Sequence, residues 1–209
     1  MQGVSVQQLA ERMKFKCFTP CEDMSKRMIV SSEINRPALE LAGYFEHFAE
    51  ERIQIIGMVE YSYLESLEDE VRTERYRKLL GFNVPCVIMC RDYEPDEEVL
   101  RIAGERGIPI LGSPDATSNV AAEAIYFLTG KAILKEDADC EDAMSSAIVK
   151  GFSKICTLKQ KEYAKTWFSR ILINECQMIL RKRKREVAYE ERVPVSYTHL
   201  RAHETCADL

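Results

Sequence analysis

The pattern of apolar and polar residues changes character near residue 130. Before that point, short runs of consecutive apolar residues alternate with longer stretches in which apolar residues recur at helical spacing. Short runs that are apolar throughout are typical of strands buried on both faces, and their alternation with helices is typical of a sheet with parallel pairing. The predicted strands are 27–30, 52–57, 85–90 and 108–111.

Helices are predicted around these strands. An amphipathic segment covers 4–13, and a second helix begins after Pro37, a residue that suits the first helical position. A charged helix is predicted over 60–80, and another begins at Pro95, where acidic residues lie at the positive end of the helix dipole. The last helix of this part ends near Leu128. Residues 1–130 are therefore predicted to form an α/β domain with a mixed or parallel sheet.

Residues 131–194 carry only a helical pattern. Apolar residues recur at near-helical spacing over 137–155 and again over 163–185. The second segment would form a helix roughly 34 Å long at 1.5 Å per residue. An all-α fragment of two helices is predicted to follow the α/β domain.

The charge of the chain changes sign at the same place. Residues 1–130 hold 14 Lys and Arg against 22 Asp and Glu, a net charge of −8. Residues 131–194 hold 14 against 10, a net charge of +4. Opposite net charges indicate that the two parts have different kinds of partner.

Two further patterns concern the compartment. No run of about 18 uncharged apolar residues occurs, and the first residues lack the basic and then apolar pattern of a secretion signal. We therefore expect a cytoplasmic chain without a membrane partner, and reduced cysteines. Cys86 and Cys90 lie on one predicted strand, so their Cα atoms would be roughly 13 Å apart, too far for a disulfide or a shared metal.

Three segments of the first part carry a family resemblance. They are Asn-Arg-Pro-Ala-Leu-Glu-Leu-Ala-Gly-Tyr-Phe at 35–45, Glu-Arg-Ile-Gln-Ile-Ile-Gly at 51–57 and Gly-Ile-Pro-Ile-Leu at 107–111. Over about 4–130 the chain resembles the N-terminal domain of bacterial HPr kinase/phosphorylase, although Ala38 stands where a glycine is expected. In that family this domain resembles the N-domain of Mur ligases and carries no catalysis.

The resemblance implies a regulatory function. In the family, a following domain phosphorylates or dephosphorylates a serine of the phosphocarrier HPr and so controls carbon metabolism. HPr or further kinase subunits are the partners that the resemblance implies for this part of the chain. The fold implied is the sheet of the Mur ligase N-domain, covered by helices.

The catalytic loop of such a kinase is missing from the sequence. Phosphoryl transfer of this type needs a Gly-x-x-x-x-Gly-Lys-Ser/Thr loop, whose backbone amides hold the phosphates. The nearest fragment, Thr-Gly-Lys at 129–131, has Ile125 in place of the first glycine and Ala132 in place of the hydroxyl residue. We therefore expect no catalytic residue and no kinase activity in this chain. ATP and magnesium would belong to the missing catalytic domain, so no cofactor is predicted here.

The sharpest chemical feature is the basic run at 181–185, near the end of the last predicted helix. Such a run is either a solvated helix end, where cations favour the negative pole of the dipole, or a surface that binds phosphates. Tyr163 and Trp167 are open to two interpretations as well, as core residues or as platforms on which the bases of single-stranded DNA stack.

A second resemblance covers about 133–192. Glu-Asp-Ala-Met at 141–144, Lys-Gly-Phe at 150–152, Thr-Trp-Phe-Ser-Arg-Ile-Leu-Ile-Asn-Glu-Cys at 166–176 and the segment 179–186 resemble region 2 of an extracytoplasmic-function sigma factor. The resemblance implies that the first helix contacts the clamp coiled coil of RNA polymerase and that the second engages the promoter −10 element. The residues it implies as DNA contacts are Arg170, Asn174, Arg181, Lys182 and Arg183.

Parts of the sigma pattern are missing. The first helix of region 2 and the helix-turn-helix of region 4 do not occur, so we do not expect the fragment to direct transcription initiation unaided.

In the last fifteen residues, His199 and His203 are four apart, with Glu204 beside them, a spacing that could hold zinc on a helix. Residues 195–205, however, resemble a translated sequencing adaptor. We therefore predict no metal site and a disordered tail over 195–209.

Three explanations of the junction at 126–135 remain open. The first is a regulatory kinase domain that stops before its P-loop and is joined to a sigma-like fragment in a chimeric or truncated gene product. The second is a sigma factor-like protein that binds DNA and RNA polymerase. The third is a natural fusion in which the α/β domain senses a metabolite and modulates the helices. The near absence of a spacer favours the first, and few contacts across the junction are then expected.

Overall fold

The structure is a computed structural model that describes residues 3–19, 24–134, 136–158 and 160–190. The strands are β1 (Val4–Ser5), β2 (Lys16–Cys17), β3 (Met28–Ile29), β4 (Ile34–Asn35), β5 (Ile53–Ile56), β6 (Val87–Met89) and β7 (Ile110–Gly112). The helices are α1 (Val6–Met13), α2 (Ala38–Ala42), α3 (Met58–Glu65), α4 (Asp69–Leu79), α5 (Glu97–Arg106), α6 (Thr117–Ile133), α7 (Asp137–Lys154) and α8 (Ala164–Glu190). Two short 3₁₀ turns, Ile155–Thr157 and Lys161–Tyr163, connect α7 to α8.

Five strands form the main sheet in the order β2-β7-β6-β5-β4. The four strands from β4 to β7 run parallel, and the edge strand β2 is antiparallel to β7. The sheet is therefore mixed with substantial parallel pairing, which confirms the predicted α/β character of this part. Because consecutive parallel strands are neighbours, their carboxyl ends lie along one edge, which we call the carboxyl edge. A separate pair, β1 and β3, is antiparallel.

Side chains that alternate along the strands supply a core on each face of the sheet. On one face, Ile55 and Ile88 pack with apolar residues of α1 and α6. On the other face, Ile56 and Met89 pack with residues of α3, α4 and α5. The strands are therefore buried on both sides, as their near-continuous apolar runs predict.

Several element boundaries differ from the predictions. The helix after Pro37 ends at Ala42, because Gly43 adopts φ 110° and stops it with a left-handed cap. The helix predicted over 60–80 is two helices, α3 and α4, separated at 66–68. The strands β2 and β4 were not predicted, because two residues are too few to show a pattern.

The expectation of few contacts across the junction is wrong. Helix α6 continues without a break to Ile133, and its last turns pack against α7 and α8. The buried residues of this third cluster are Leu134, Cys140, Ala143, Ala147, Leu172 and Cys176. The physical reason is that α6 is apolar on two sides. Val120 and Phe127 face the sheet, whereas Tyr126 and Ile133 pack toward α7 and α8.

The helices α7 and α8 are held together by a close approach and by an ion pair. Gly151 of α7 lies under the ring of Phe168, where an added Cβ would be 3.0 Å from the ring. The ammonium of Lys150 lies 2.7 and 2.6 Å from the two carboxylate oxygens of the buried Glu175. The helices predicted after the α/β domain thus pack on that domain through α6 and do not stand apart from it.

Among the six described cysteines, none forms a disulfide. Burial raises the pKa of the Cys86 thiol to about 12, so its reactive thiolate form is scarce at neutral pH.

In the described part of the chain, no helix combines the length and the apolarity that crossing a membrane requires.

Candidate functional site

Polar residues collect at the carboxyl edge of the sheet. Arg36 follows β4, Gly57 follows β5, Cys90 follows β6 and Ser113 follows β7. The crevice outside the carboxyl ends of parallel strands is where open α/β sheets bind their ligands. These residues lie far apart in sequence, and only the strand order brings them to one edge.

A buried carboxylate forms the centre of this edge. Glu60 lies in the first turn of α3, and its side chain is 2% exposed. One of its oxygens accepts a hydrogen bond from the backbone N–H of Gly57 at 3.0 Å. The two carboxylate oxygens lie 2.8 and 2.9 Å from Nη2 of Arg36, which is 44% exposed. A buried charge is tolerated only when it is paired and hydrogen-bonded, so Arg36 compensates the charge that Glu60 buries here.

A close approach joins this centre to α6. A Cβ added to Gly57 would lie 2.1 Å from Oγ1 of Thr117, the first residue of α6. Gly57 has φ −108°, so glycine is required by space and not by backbone conformation. Burial raises the pKa of the Cys90 thiol, and a hydrogen bond with Thr117 opposes that rise. Strands β5 and β6 are thereby tied to the start of α6.

The next two residues after Cys90 have strained backbone. Arg91 has φ 62° and Asp92 has φ 56°, in the left-handed region that residues with a Cβ rarely adopt. The loop after β7 holds them there, since Arg91 N–H donates to the carbonyl of Asp115 at 3.1 Å and Asp92 N–H donates to that of Ser113 at 3.0 Å. Both side chains are exposed. Strain of this kind concentrates at functional sites, where the surrounding structure enforces it.

The carboxyl edge combines a buried ion pair, a buried thiol and exposed charges. Glu60 is held by its ion pair with Arg36 and by the hydrogen bond that it accepts from Gly57 N–H. The Cys90 thiol has a raised pKa, which disfavours the nucleophilic thiolate. Within the described ranges, no group of three or more His, Cys, Asp or Glu side chains is placed to hold a metal ion. The loop after β6, held by backbone hydrogen bonds to the loop after β7, presents the exposed cation of Arg91 and the exposed anion of Asp92.

The five residues predicted to contact DNA all lie on α8 and are exposed. Arg170, Asn174 and Arg181 are four and seven residues apart, so they share one side of the helix. Lys182 and Arg183 point elsewhere. Nε of Arg183 lies 2.7 Å from a carboxylate oxygen of Asp139 on α7, and Lys182 lies 3.8 Å from Glu186.

The two aromatic residues upstream of the basic run differ in exposure. Tyr163 is 60% exposed, whereas Trp167 is partly buried. Both lie beside Arg170 around a shallow surface depression between α8 and the turn that precedes it. The tail residues His199, His203 and Glu204, and the whole segment 195–209, lie outside the described residues.

Sequence reasoning missed the carboxyl-edge residues. A usable signal existed for Gly57 and Glu60, because a glycine directly after a buried strand, with a glutamate three residues later, is typical of a helix start. The signal for Arg91 and Asp92 was weak, because arginine has no preference for left-handed backbone and aspartate adopts it only occasionally. Their conformation follows from the loop that holds them.

Comparisons with known proteins concern the α/β part. Residues 4–128 match the family described as HPr Serine kinase N terminus. The HPr kinase/phosphorylase of Lachnoclostridium phytofermentans is 38% identical over 128 residues, which cover 61% of this chain and 41% of that protein. The HPr kinase/phosphorylase of Clostridium botulinum strain Eklund 17B is 42% identical over 100 residues, covering 48% and 33%. That of Latilactobacillus sakei is 34% identical over 129 residues, covering 62% and 41%. The chain thus spans about two fifths or less of the length of these relatives.

Proposed function

The chain belongs to the HPr serine kinase N-terminus family, and on that basis we propose that residues 4–128 act as a non-catalytic regulatory domain of HPr kinase/phosphorylase type. The observation that carries the proposal is the family match across the whole sheet and the helices that cover it. The 209 residues contain no Gly-x-x-x-x-Gly-Lys-Ser/Thr sequence, which supports a function without phosphoryl transfer.

The carboxyl edge is the surface that this function would use. A preformed surface with charges held in fixed positions favours the binding of a partner protein, because ordering a mobile loop on binding costs affinity. The ion pair of Arg36 with Glu60 and the enforced backbone of Arg91 and Asp92 provide such a surface. The partners we propose are HPr and the catalytic domain of an HPr kinase/phosphorylase.

Arg91→Gly is expected to weaken binding of either partner without loss of stability. Glycine removes the exposed charge and also relieves the left-handed strain, so the free energy of unfolding should stay the same or rise by up to about 1 kcal/mol. Calorimetric titration of HPr, and of the catalytic domain of the L. phytofermentans enzyme, into this chain measures the binding.

The matched control for that experiment is Arg106→Ala. Arg106 is an exposed arginine at the end of α5, at the opposite edge of the sheet. The carboxyl edge is not the contact surface if Arg91→Gly and Arg106→Ala have equal effects. The proposal for the domain fails if neither partner binds the parent chain.

A second candidate function rests on the exposed side of α8. We propose that the row Arg170, Asn174 and Arg181 binds the phosphate backbone of single-stranded, promoter-like DNA, with RNA polymerase as the further partner. Two exposed arginines on this side of the helix, with the exposed Asn174 between them, support phosphate binding, and such binding is strongly salt-dependent.

Arg181→Ala is expected to weaken DNA binding and to reduce the slope of log K against log salt by about one. Fluorescence anisotropy with a labelled −10-like oligonucleotide measures both quantities. Arg183→Ala is the matched control, because Arg183 is engaged by Asp139 and should lose little affinity. Binding that does not depend on salt, or a larger effect from Arg183→Ala, would contradict the proposed orientation of the helix.

We also propose that the chain joins two segments of separate origin at 126–135. The change of net charge and the two unrelated resemblances support this origin. We expect long-read sequencing of genomic DNA across codons 125–140 to show that the two segments are not encoded in one continuous reading frame. One uninterrupted frame in independent isolates would instead support a natural fusion.

A further inference from the structure

A cavity of about 420 Å³ lies where α1, α6, α7 and α8 meet. Its walls are mainly apolar. Met13 and Phe127 contribute to it from the α/β domain, and Met144 and Phe168 contribute from the two helices after the junction. Small-molecule sites in proteins are clefts of about 300 to 1,000 Å³ with apolar walls and a few polar groups, and this cavity falls within that range.

Three polar side chains line the same cavity without partners of their own. Arg12 on α1 and Glu123 on α6 have no ion pair with any described residue. The hydroxyl of Tyr126 likewise has no hydrogen-bond partner in the described part of the chain. Burial raises the pKa of that hydroxyl, so it remains a hydrogen-bond donor at neutral pH. A cation, an anion and a neutral donor are therefore available beside an apolar space.

The charges around Arg12 restrict what can bind. An adjoining pocket of about 210 Å³ shares Arg12 and adds the carboxylates of Glu11 and Glu141. Carboxylates thus outnumber the single guanidinium, and a ligand with only a negative charge would be repelled. A ligand with only a positive charge would leave Arg12 unused. A zwitterion uses both.

We propose that this cavity binds a free α-amino acid with a large apolar side chain, of the size of phenylalanine. The ammonium group would contact Glu123, the carboxylate would contact Arg12 and the side chain would fill the apolar space. Because the walls come from both sides of the junction, such a ligand would stabilise the packing of α7 and α8 on α6. The site is independent of the regulatory and DNA-binding functions proposed above.

Isothermal titration of the full chain with L-phenylalanine tests this site. We expect saturable binding of one molecule per chain in the micromolar to millimolar range. Two fragments of the ligand separate the roles of the charges, since 2-phenylethylamine lacks the carboxylate and 3-phenylpropionate lacks the ammonium. Arg12→Gln should weaken phenylalanine binding about tenfold and leave 2-phenylethylamine unchanged, whereas Glu123→Gln should weaken both.

Glu97→Gln is the matched control, because Glu97 is an exposed carboxylate on α5 that does not line the cavity. Both charged residues at the cavity are exposed as well, so their variants should fold like the parent, and thermal unfolding without ligand checks this. The proposal is overturned if phenylalanine does not bind, or if either fragment binds as tightly as phenylalanine. It is also overturned if Glu97→Gln weakens binding as much as Glu123→Gln does.

Discussion

Gly57→Ala is expected to lower the free energy of unfolding by about 2 to 3 kcal/mol, the upper part of the range of about 1 to 3 kcal/mol observed when atoms are forced into a packed site. The new methyl group would lie 2.1 Å from Oγ1 of Thr117, a distance at which the Thr117 side chain has to rotate or the end of β5 or the start of α6 has to move. Since Gly57 has φ −108°, no backbone strain contributes to the cost. Urea denaturation followed by circular dichroism measures it.

A second substitution isolates the steric cause. Thr117→Ala removes the clashing oxygen, and the nearest remaining atom of that residue, Cβ, lies 3.2 Å from the added methyl group. In the Gly57→Ala background, Thr117→Ala should therefore restore most of the lost stability, although by itself it is expected to be neutral or mildly destabilising. If the losses of stability of the two single variants simply add in the double variant, the contact between Gly57 and Thr117 is not the cause of the loss in Gly57→Ala.

Arg36→Ala is expected to lower the free energy of unfolding by about 2 to 3 kcal/mol at neutral pH. Removing one partner of a buried ion pair costs about 3 to 5 kcal/mol, because the other charge is left without compensation. We expect a smaller cost, about 2 to 3 kcal/mol, because Arg36 is 44% exposed and solvent screens its charge, while Glu60 is 2% exposed. The stability of the two proteins in urea gives the difference.

The matched variant is Glu60→Gln. A glutamine at position 60 keeps an oxygen that can accept the hydrogen bond from Gly57 N–H, but it carries no charge that needs Arg36. Arg36→Ala should therefore cost much less in the Glu60→Gln background than in the parent. Equal costs in the two backgrounds would mean that the pair is too well solvated to hold the carboxyl edge together.

The sheet was predictable where its strands are long enough to show a pattern. The runs that contain β5, β6 and β7 are almost wholly apolar, with Gln54 as the one polar residue within these three strands, and burial on both faces follows directly from that composition. The strands β2 and β4 have two residues each, and only pairing with their neighbours makes them strands. The early end of α2 depends on the left-handed conformation of Gly43.

The carboxyl edge was less predictable because its residues meet only in three dimensions. Arg36 follows β4, Glu60 lies on α3 and Thr117 begins α6, and nothing local in the sequence relates them. The helix start at Gly57 and Glu60 could have been recognised. The strained backbone of Arg91 and Asp92 could not, because a loop 20 residues or more further along the chain, which includes Ser113 and Asp115, imposes it.

The junction shows that a change of net charge along the sequence does not predict how the two parts of a chain pack together. Net charge is carried by exposed residues, and it changes sign near residue 130 although α6 continues through that point. The apolar residues on one side of the same helix indicate that the two parts pack together, since Tyr126 and Ile133 pack with the helices that follow. For α8, helical geometry alone would have separated Arg183 from Arg181, and the contact with Asp139 then explains where Arg183 points.

Phosphorylation of HPr tests the central claim most directly. The full chain, HPr, ATP and magnesium are incubated together, and phosphoserine is measured by intact-protein mass spectrometry, with the L. phytofermentans HPr kinase/phosphorylase as the positive control. A regulatory domain without a phosphate-binding loop is expected to leave HPr at its unmodified mass, as in the reaction without enzyme. ATP-dependent addition of one phosphate by this chain alone would contradict the account.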